Sequence, residues 1–477
     1  MAALKFWGAC SLVVMAGCVS TPASDGTVYE GEVPAVWSSD YGQGAIETDW
    51  WTEFDDEKLN RLVVDAISLN PGVRQAEART AQARAQARIA GADRLPQLSG
   101  VFNGSNAKQL ATGFGPSGGG TGGSSFETET YGLALNVNWE IDLWGRIASL
   151  NGAAREDFLA SEDNLRAVRQ SIAAQTAKTY FAVVEARAQL DLSEKTVAAL
   201  QETARQIGNR ADAGIVSPTD KQLSITNYET ANAGLQQRRE TLERVIRQLE
   251  VIVRQYPTGT ALTGEVLPGV SEAVPAGLPA GLLARRPDVL ASERALRASG
   301  LRTSAARRAL LPSISLTGSI GTSSSDVNNL LDGDFSVWSI AGQLVQPIFQ
   351  GGRLRANVAL SRARQREAAE AYAETVLLAF SEVESALAAD QYISEREASF
   401  QRAADAAADA ERIAINRYNQ GITSFLTVLE SQQRALDTRS AYLSARRARL
   451  DNRIDLYLAL GGGFDTPISL PLKGDSE

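Results

Sequence analysis

The 477-residue chain contains no histidine, and its two cysteines (Cys10 and Cys18) and two methionines (Met1 and Met15) all lie within the first eighteen positions. The body of the chain therefore holds no disulfide and no thiolate metal site. Imidazole, thiolate and thioether are all missing there, so only oxygen ligands remain and a soft transition metal has nothing to bind. The same gaps remove every His- or Cys-based nucleophile and base pair, and the carboxylates form no pocket-like pattern. We expect no enzymatic activity, no cofactor and no metal. Aromatic residues make up only 6% of the sequence, which is little for a compact core. Beyond residue 18 no run of about 20 apolar residues occurs, so no membrane-spanning helix is expected. An excess of positive charge is lacking too: 47 Lys and Arg stand against 56 Asp and Glu, a formal net charge of -9, which argues against a nucleic-acid partner.

The N-terminus carries an export pattern. Lys5 is followed by the apolar run Phe6 to Val14, and small residues precede Cys18. Residues 1–17 are expected to be a signal peptide. Met15-Ala16-Gly17-Cys18 resembles the lipobox of bacterial lipoproteins, which implies acylation of Cys18 and an N-terminal lipid. Val19, in place of an Asp, is similar to lipoproteins routed to the outer membrane. A lipid-anchored protein without a spanning helix either rests on the bilayer or crosses it as a barrel.

What is present is a sequence written twice. Asn70-Pro71-Gly72-Val73 stands ahead of Leu95-Pro96 as Arg286-Pro287-Asp288-Val289 stands ahead of Leu311-Pro312, an offset of 216. Gly145-Arg146 matches Gly352-Arg353, and Gly214-Ile215-Val216-Ser217 matches Gly421-Ile422-Thr423-Ser424, both at an offset of 207. The first copy thus has nine extra residues between Pro96 and Gly145, where Gly113 to Gly123 form a Gly/Ser-rich tip loop. The G-x-G-x-x-G formed by Gly113, Gly115 and Gly118 precedes a strand and lacks any βαβ context, so it is not a dinucleotide site.

Each copy reads helix, paired strands, very long helix, turn, helix. Leu133, Leu135, Val137, Trp139, Ile141 and Leu143 alternate with Ala134, Asn136, Asn138, Glu140 and Asp142, and Ile314, Leu316 and Ile320 alternate with Ser315, Thr317 and Ser319. Both patterns have period two, with one apolar and one polar face. Weaker strand signals lie near 97–106 and 335–348, giving two hairpins and four strands per chain. Four strands cannot close a barrel, and open edges are not tolerated against lipid. Three chains would supply twelve strands, within the size range of membrane barrels.

The helical segments have unusual length. Arg146–Ala211 contains no proline and two glycines, and 354–418 repeats it; at 1.5 Å per residue each spans about 100 Å. Helices predicted over 58–92 and 219–255 are half as long, so two placed end to end match the long one. Apolar residues recur at sevens through Phe158, Leu165 and Ile172, then Val183, Leu190, Val197 and Ala204. The step of eleven from 172 to 183 is a stutter that relaxes the supercoil. A wall of such helices continued by a barrel is a tube.

At this point the chain resembles the outer-membrane factor family, the TolC-like and OprM-like channels and NodT-type lipoproteins. The resemblance rests on Trp50-Trp51 with Phe54 and Asp56, on Leu95-Pro96, and on Trp139-Glu140-Ile141-Asp142-Leu143-Trp144-Gly145-Arg146. It continues in Arg285-Arg286-Pro287-Asp288-Val289, Leu311-Pro312-Ser313-Ile314, and Arg417-Tyr418-Asn419-Gln420-Gly421 leading to Val428-Leu429-Glu430. It implies a membrane α+β fold in which a homotrimer closes a twelve-stranded barrel over an antiparallel coiled-coil tunnel in the periplasm. It also implies a periplasmic adaptor, an inner-membrane RND or ABC pump, and lipid of the outer membrane as partners. The organisation expected is a signal peptide (1–17), a lipid-anchored segment (18–57), a first repeat (58–256, hairpin 97–142), a linker (257–285), a second repeat (286–461, hairpin 312–348) and a tail (462–477).

The resemblance further implies a gate at the turns far from the barrel. Tyr418 falls on the family's gate tyrosine, Asp220 on the first-repeat carboxylate that pairs with it, and Glu430 on one acidic position. The second acidic position is Thr427 here. A Tyr418–Asp220 hydrogen bond between the two helical hairpins is the expected latch, and a ring of Glu430 carboxylates would favour cations over anions. Arg285 and Arg286 are read as a structural linker motif. The expected function is an outer-membrane efflux channel subunit; export of proteins by a type I system and a structural surface coiled coil are the alternatives.

Overall fold

A computed structural model of the chain describes residues 34, 36–38, 49–111, 124–261, 263–270, 277 and 279–462. After a short 3-10 helix (Trp50–Phe54), the first copy runs α1 (Glu57–Leu69), α2 (Pro71–Ala92), β1 (Gln97–Ala111), β2 (Ser124–Ile141), α3 (Arg146–Asp212) and α4 (Pro218–Ile252). The second runs α5 (Pro279–Arg285), α6 (Pro287–Arg308), β3 (Ser313–Ser324), β4 (Ser336–Val345), α7 (Arg353–Asn419) and α8 (Phe425–Ala459). Matching helices are equal in length: 67 residues for α3 and α7, 35 for α4 and α8, and 22 for α2 and α6. Three equal pairs establish the duplication in three dimensions. The Gly/Ser-rich segment 113–123 lies outside the described residues.

The repeat anchors are places where the backbone needs them. Gly214 (φ 74°) and Gly421 (φ 76°) end the two long helices in the left-handed region. Just past them the Ile215 N–H donates to the Arg210 carbonyl at 2.8 Å, and the Ile422 N–H to the Arg417 carbonyl at 2.9 Å. This closure satisfies a terminal helix carbonyl, and a residue without Cβ adopts it free of strain. Ser217 and Ser424 then cap the returning helices, accepting the N–H of Thr219 at 3.1 Å and of Thr427 at 3.4 Å.

The predicted single helix over 58–92 is corrected: it breaks at Asn70-Pro71. The Asn70 side chain caps α2 by accepting the Gly72 N–H at 2.7 Å, and Pro71 occupies the first helical position, where its missing N–H costs nothing. The Asn70 Nδ2 also donates to the carbonyl of Ile252, the last residue of α4, at 2.8 Å. The start of α2 is thereby joined to the end of α4. In the second copy Arg286 takes this place. It precedes Pro287, and its Nη1 donates to the carbonyl of Ala459, the last residue of α8, at 3.0 Å. Asp288 and Glu382 each lie 2.6 Å from its guanidinium. The linker arginine is thus a buried joint between stacked half-length helices.

Packing follows from these joints. Arg294 and Arg302 of α6 pair with Asp163 and Asp157 of α3, and Arg169 of α3 with Glu77 of α2. In the distal half, Glu185 of α3 pairs with Arg447 of α8, and Glu194 of α3 with Arg239 of α4. The main core forms a girdle at mid-height around Tyr180, Phe181, Val183, Val376, Val383, Leu249, Leu450 and Ile454, with Trp50, Trp51 and Phe54 packed in. The predicted eleven-residue step lies against this girdle, where α3 is buried on most sides. Beyond Val184 the buried α3 positions are Gln189, Leu200 and Ile207. Val197 and Ala204 are only half buried, one turn away on the same face.

Candidate functional site

The four strands form one antiparallel sheet in the order β1-β2-β3-β4. The hairpins join through β2 and β3, with Leu135 opposite Ile320 and Trp139 opposite Leu316. The register carries one face across all strands: Phe102 opposes Leu133, Ile320 opposes Trp338, and Ile314 opposes Leu344. Paired residues share a face, so these apolar side chains make one continuous surface. The opposite face is polar, with Ser99 opposite Asn136, Asn136 opposite Ser319, and Ser319 opposite Ser339. Phe102, Leu135, Ile320, Trp338, Ile340 and Leu344 are exposed in the single chain. A large apolar surface backed by a hydrophilic one is the pattern of a barrel wall between lipid and lumen. Strands β1 and β4 are edges, and each leaves a row of backbone groups to pair.

Glu140 at the end of β2 receives both bonds from Arg146 Nη2, at 2.7 and 2.8 Å, which sets the turn from strand into α3. Trp144 and Trp139 tie the same junction, donating to the carbonyls of Pro312 (2.7 Å) and Arg94 (3.1 Å). No described helix is long and apolar enough to cross a membrane.

At the far end, the two turn regions meet in one apolar cluster. Ile207, Ala414, Phe425 and Val428 are buried together, with Val216, Ile415, Tyr418 and Leu429 packed against them. The Tyr418 ring lies 5.4 Å from Phe425 and under the guanidinium of Arg210, also 5.4 Å away. Its hydroxyl is buried and has no hydrogen-bond partner among the described residues. The expected Tyr418–Asp220 bond is therefore not formed. The ring is drawn into the apolar cluster and beneath Arg210, while Asp220 stays in the first turn of α4. Asp220 is still close enough to act electrostatically: burial chiefly raises the Tyr418 pKa, Arg210 lowers it, and Asp220 raises it again.

The other sequence-predicted positions serve elsewhere. Thr427 belongs to the α8 cap, its hydroxyl 3.1 Å from that of Ser424. Glu430 is exposed, and its side chain makes no hydrogen bond or ion pair among the described residues. Lys221 pairs with Asp212 at 2.7 Å across the first turn. Arg210 was not singled out by sequence: it is one arginine among many, and nothing near it in the chain points to Tyr418. Cys18 lies outside the described residues. No group of three or more acidic, Cys or His side chains placed to hold a metal occurs among the described residues.

Residues 62–251 and 278–462 match the family model described as outer membrane efflux protein. The chain belongs to that family. It is 34% identical over 471 residues to the outer membrane protein OprJ of Pseudomonas aeruginosa, covering 97% of this chain and 95% of that protein. It is 31% identical over 418 residues to the cation efflux system protein CusC of Escherichia coli, covering 87% of this chain and 88% of the relative. Among solved structures it resembles the Campylobacter jejuni CmeC outer membrane channel, with a TM-score of 0.84, 28% identity, and coverage of 90% of this chain and 91% of that one. Members of this family are channel proteins. This chain is an outer-membrane efflux channel subunit, its sheet the contribution to the barrel and its long helices the wall of the periplasmic tunnel.

Proposed function

We propose that three copies of this chain close one twelve-stranded barrel and one helical tunnel, and that this homotrimer is the exit duct of a tripartite efflux system. The observation that carries the reading is the sheet itself: one apolar face, one polar face and two bare edges in each protomer. Lipid contact requires those edges to be paired, and a second and third copy present the complementary edges. A periplasmic adaptor engages the tunnel, and an inner-membrane pump of the RND or ABC class supplies the energy. The channel itself passes cargo without chemistry. Acylated Cys18 holds the N-terminal segment in the outer-membrane leaflet, and the distal turns around Tyr418 and Asp220 form the periplasmic gate.

Native mass measurement of the detergent-purified protein, combined with planar-bilayer recording of the same preparation, tests this. The expected result is three chains per particle and discrete conductance steps. A conducting monomer, or a trimer that never conducts, would overturn it.

A further inference from the structure

We propose that Arg210 latches the two helical hairpins of one protomer together at the tunnel tip, acting on the face of the Tyr418 ring and not through its hydroxyl. This deepens the gate reading above and rests on it. Arg210 sits in the last turn of α3, where its carbonyl accepts the Ile215 N–H at 2.8 Å, so the backbone that carries it is fixed by the turn. Tyr418 sits in the last turn of α7, and Phe425 opens α8. The guanidinium lies over the phenol ring, and that ring meets the phenyl at a tilt of 48°, so a run of contacts crosses α3, α7 and α8, each step 5.4 Å. A guanidinium over an aromatic face is attracted by the ring quadrupole, and a planar cation stacks there better than an ammonium.

Two further observations assign the contact to the ring. The Tyr418 hydroxyl is buried and bonds to nothing among the described residues, so its removal deletes no link. Arg210 itself makes no salt bridge among the described residues, unlike Lys221, which is held by Asp212. Its charge is left for the ring. The Arg210–Tyr418 contact ties the first hairpin to the second, and relative movement of the hairpins must break it before the tip can widen.

The test uses the full-length protein in planar bilayers, with four variants. A cation–π contact of ordinary strength shifts a closed-to-open ratio roughly fivefold, and three per trimer compound to roughly a hundredfold. R210Q and Y418A should both raise open probability on that scale, Y418F should behave as wild type, and R210K should fall between wild type and R210Q. Retention of the wild-type oligomer and thermal midpoint shows that each variant is folded. If Y418A opens the channel and R210Q does not, packing alone holds the ring and the latch is wrong. If Y418F opens it as fully as Y418A, the hydroxyl is the link and the proposal is again wrong. If neither R210Q nor Y418A changes conductance, the gate reading fails as well.

Discussion

At position 250 the first copy has a glutamate, and at the matching position 457 the second has a tyrosine. Both are buried at the end of a 35-residue helix. Glu250 receives the N–H groups of Gly259 (2.8 Å), Thr260 (2.8 Å) and Ala261 (3.1 Å), with the Thr258 hydroxyl at 3.1 Å, and so fixes the chain as it leaves α4. Tyr457 stacks on Trp50 with ring centres 5.4 Å apart and so fixes the segment that enters α1. The joints differ in the same way, amide at Asn70 and guanidinium at Arg286. So do the tips, where the first carries a Lys221–Asp212 ion pair and the second the Tyr418–Phe425 aromatic contact. What is kept between copies is whatever the backbone needs: the left-handed glycines, the serine caps, the proline at the helix start. What has diverged is whatever touches a neighbour, because the two copies abut different segments.

That contrast is open to measurement at the joints. Arg286 is 7% exposed and satisfies two carboxylates and a helix carbonyl, whereas Asn70 satisfies one carbonyl and one N–H. Replacing Arg286 with Met should cost about 3 kcal/mol, the usual toll for dismantling a buried charged network. Asn70→Ala should cost about 1 kcal/mol, the worth of one cap and one hydrogen bond. Urea unfolding of the solubilised protein measures both. Equal losses would mean that the two joints are interchangeable and the comparison fails.

A smaller effect with a distinctive pH signature is expected at Glu250. Burial alone would raise its carboxyl pKa, but the hydrogen bonds from Gly259, Thr260, Thr258 and Ala261 outweigh it and hold the group below its ordinary value of 4.5. A depressed pKa means that the stabilisation is fully present above pH 4.5 and fades as pH falls below it. E250Q should cost about 1–2 kcal/mol at neutral pH and flatten the acid limb of the stability profile. Y457F, which keeps the stacked ring, should leave that limb unchanged. An acid limb unaltered by E250Q would remove the carboxylate from the account.

Much of the architecture was legible because it is written in backbone requirements. The shared offset of the Gly214 and Gly421 turns exposed the duplication, and the alternation through Leu133 to Ile141 gave the faces of the sheet. The break at Asn70-Pro71 was also written there, an N-cap followed by proline at the first helical position, but the unbroken helical pattern around it hid it. The tip was less legible. Tyr418 and Asp220 do come within electrostatic reach across the hairpins, yet whether a hydroxyl meets a carboxylate depends on how deeply the ring sinks into the apolar cluster. That depth is set by Ile207 of α3 and by Phe425 and Val428 of α8. Arg210 was invisible for the same reason: its partner lies 208 residues away and only packing unites them.

The central claim is that edges left bare in one protomer are paired by its sisters, and disulfide trapping tests it most directly. The body of the chain has no cysteine of its own, so a cysteine replacing Ser99 in β1 can be scanned against cysteines at Ser339, Ala341 and Gln343, the β4 positions on the same face of the sheet. Within one chain these strands are three spacings apart, about 14 Å, well beyond the roughly 7 Å Cα separation a disulfide spans. The account predicts that at least one pairing yields a covalent ladder ending at three chains. Uncross-linked monomer at every register would contradict it.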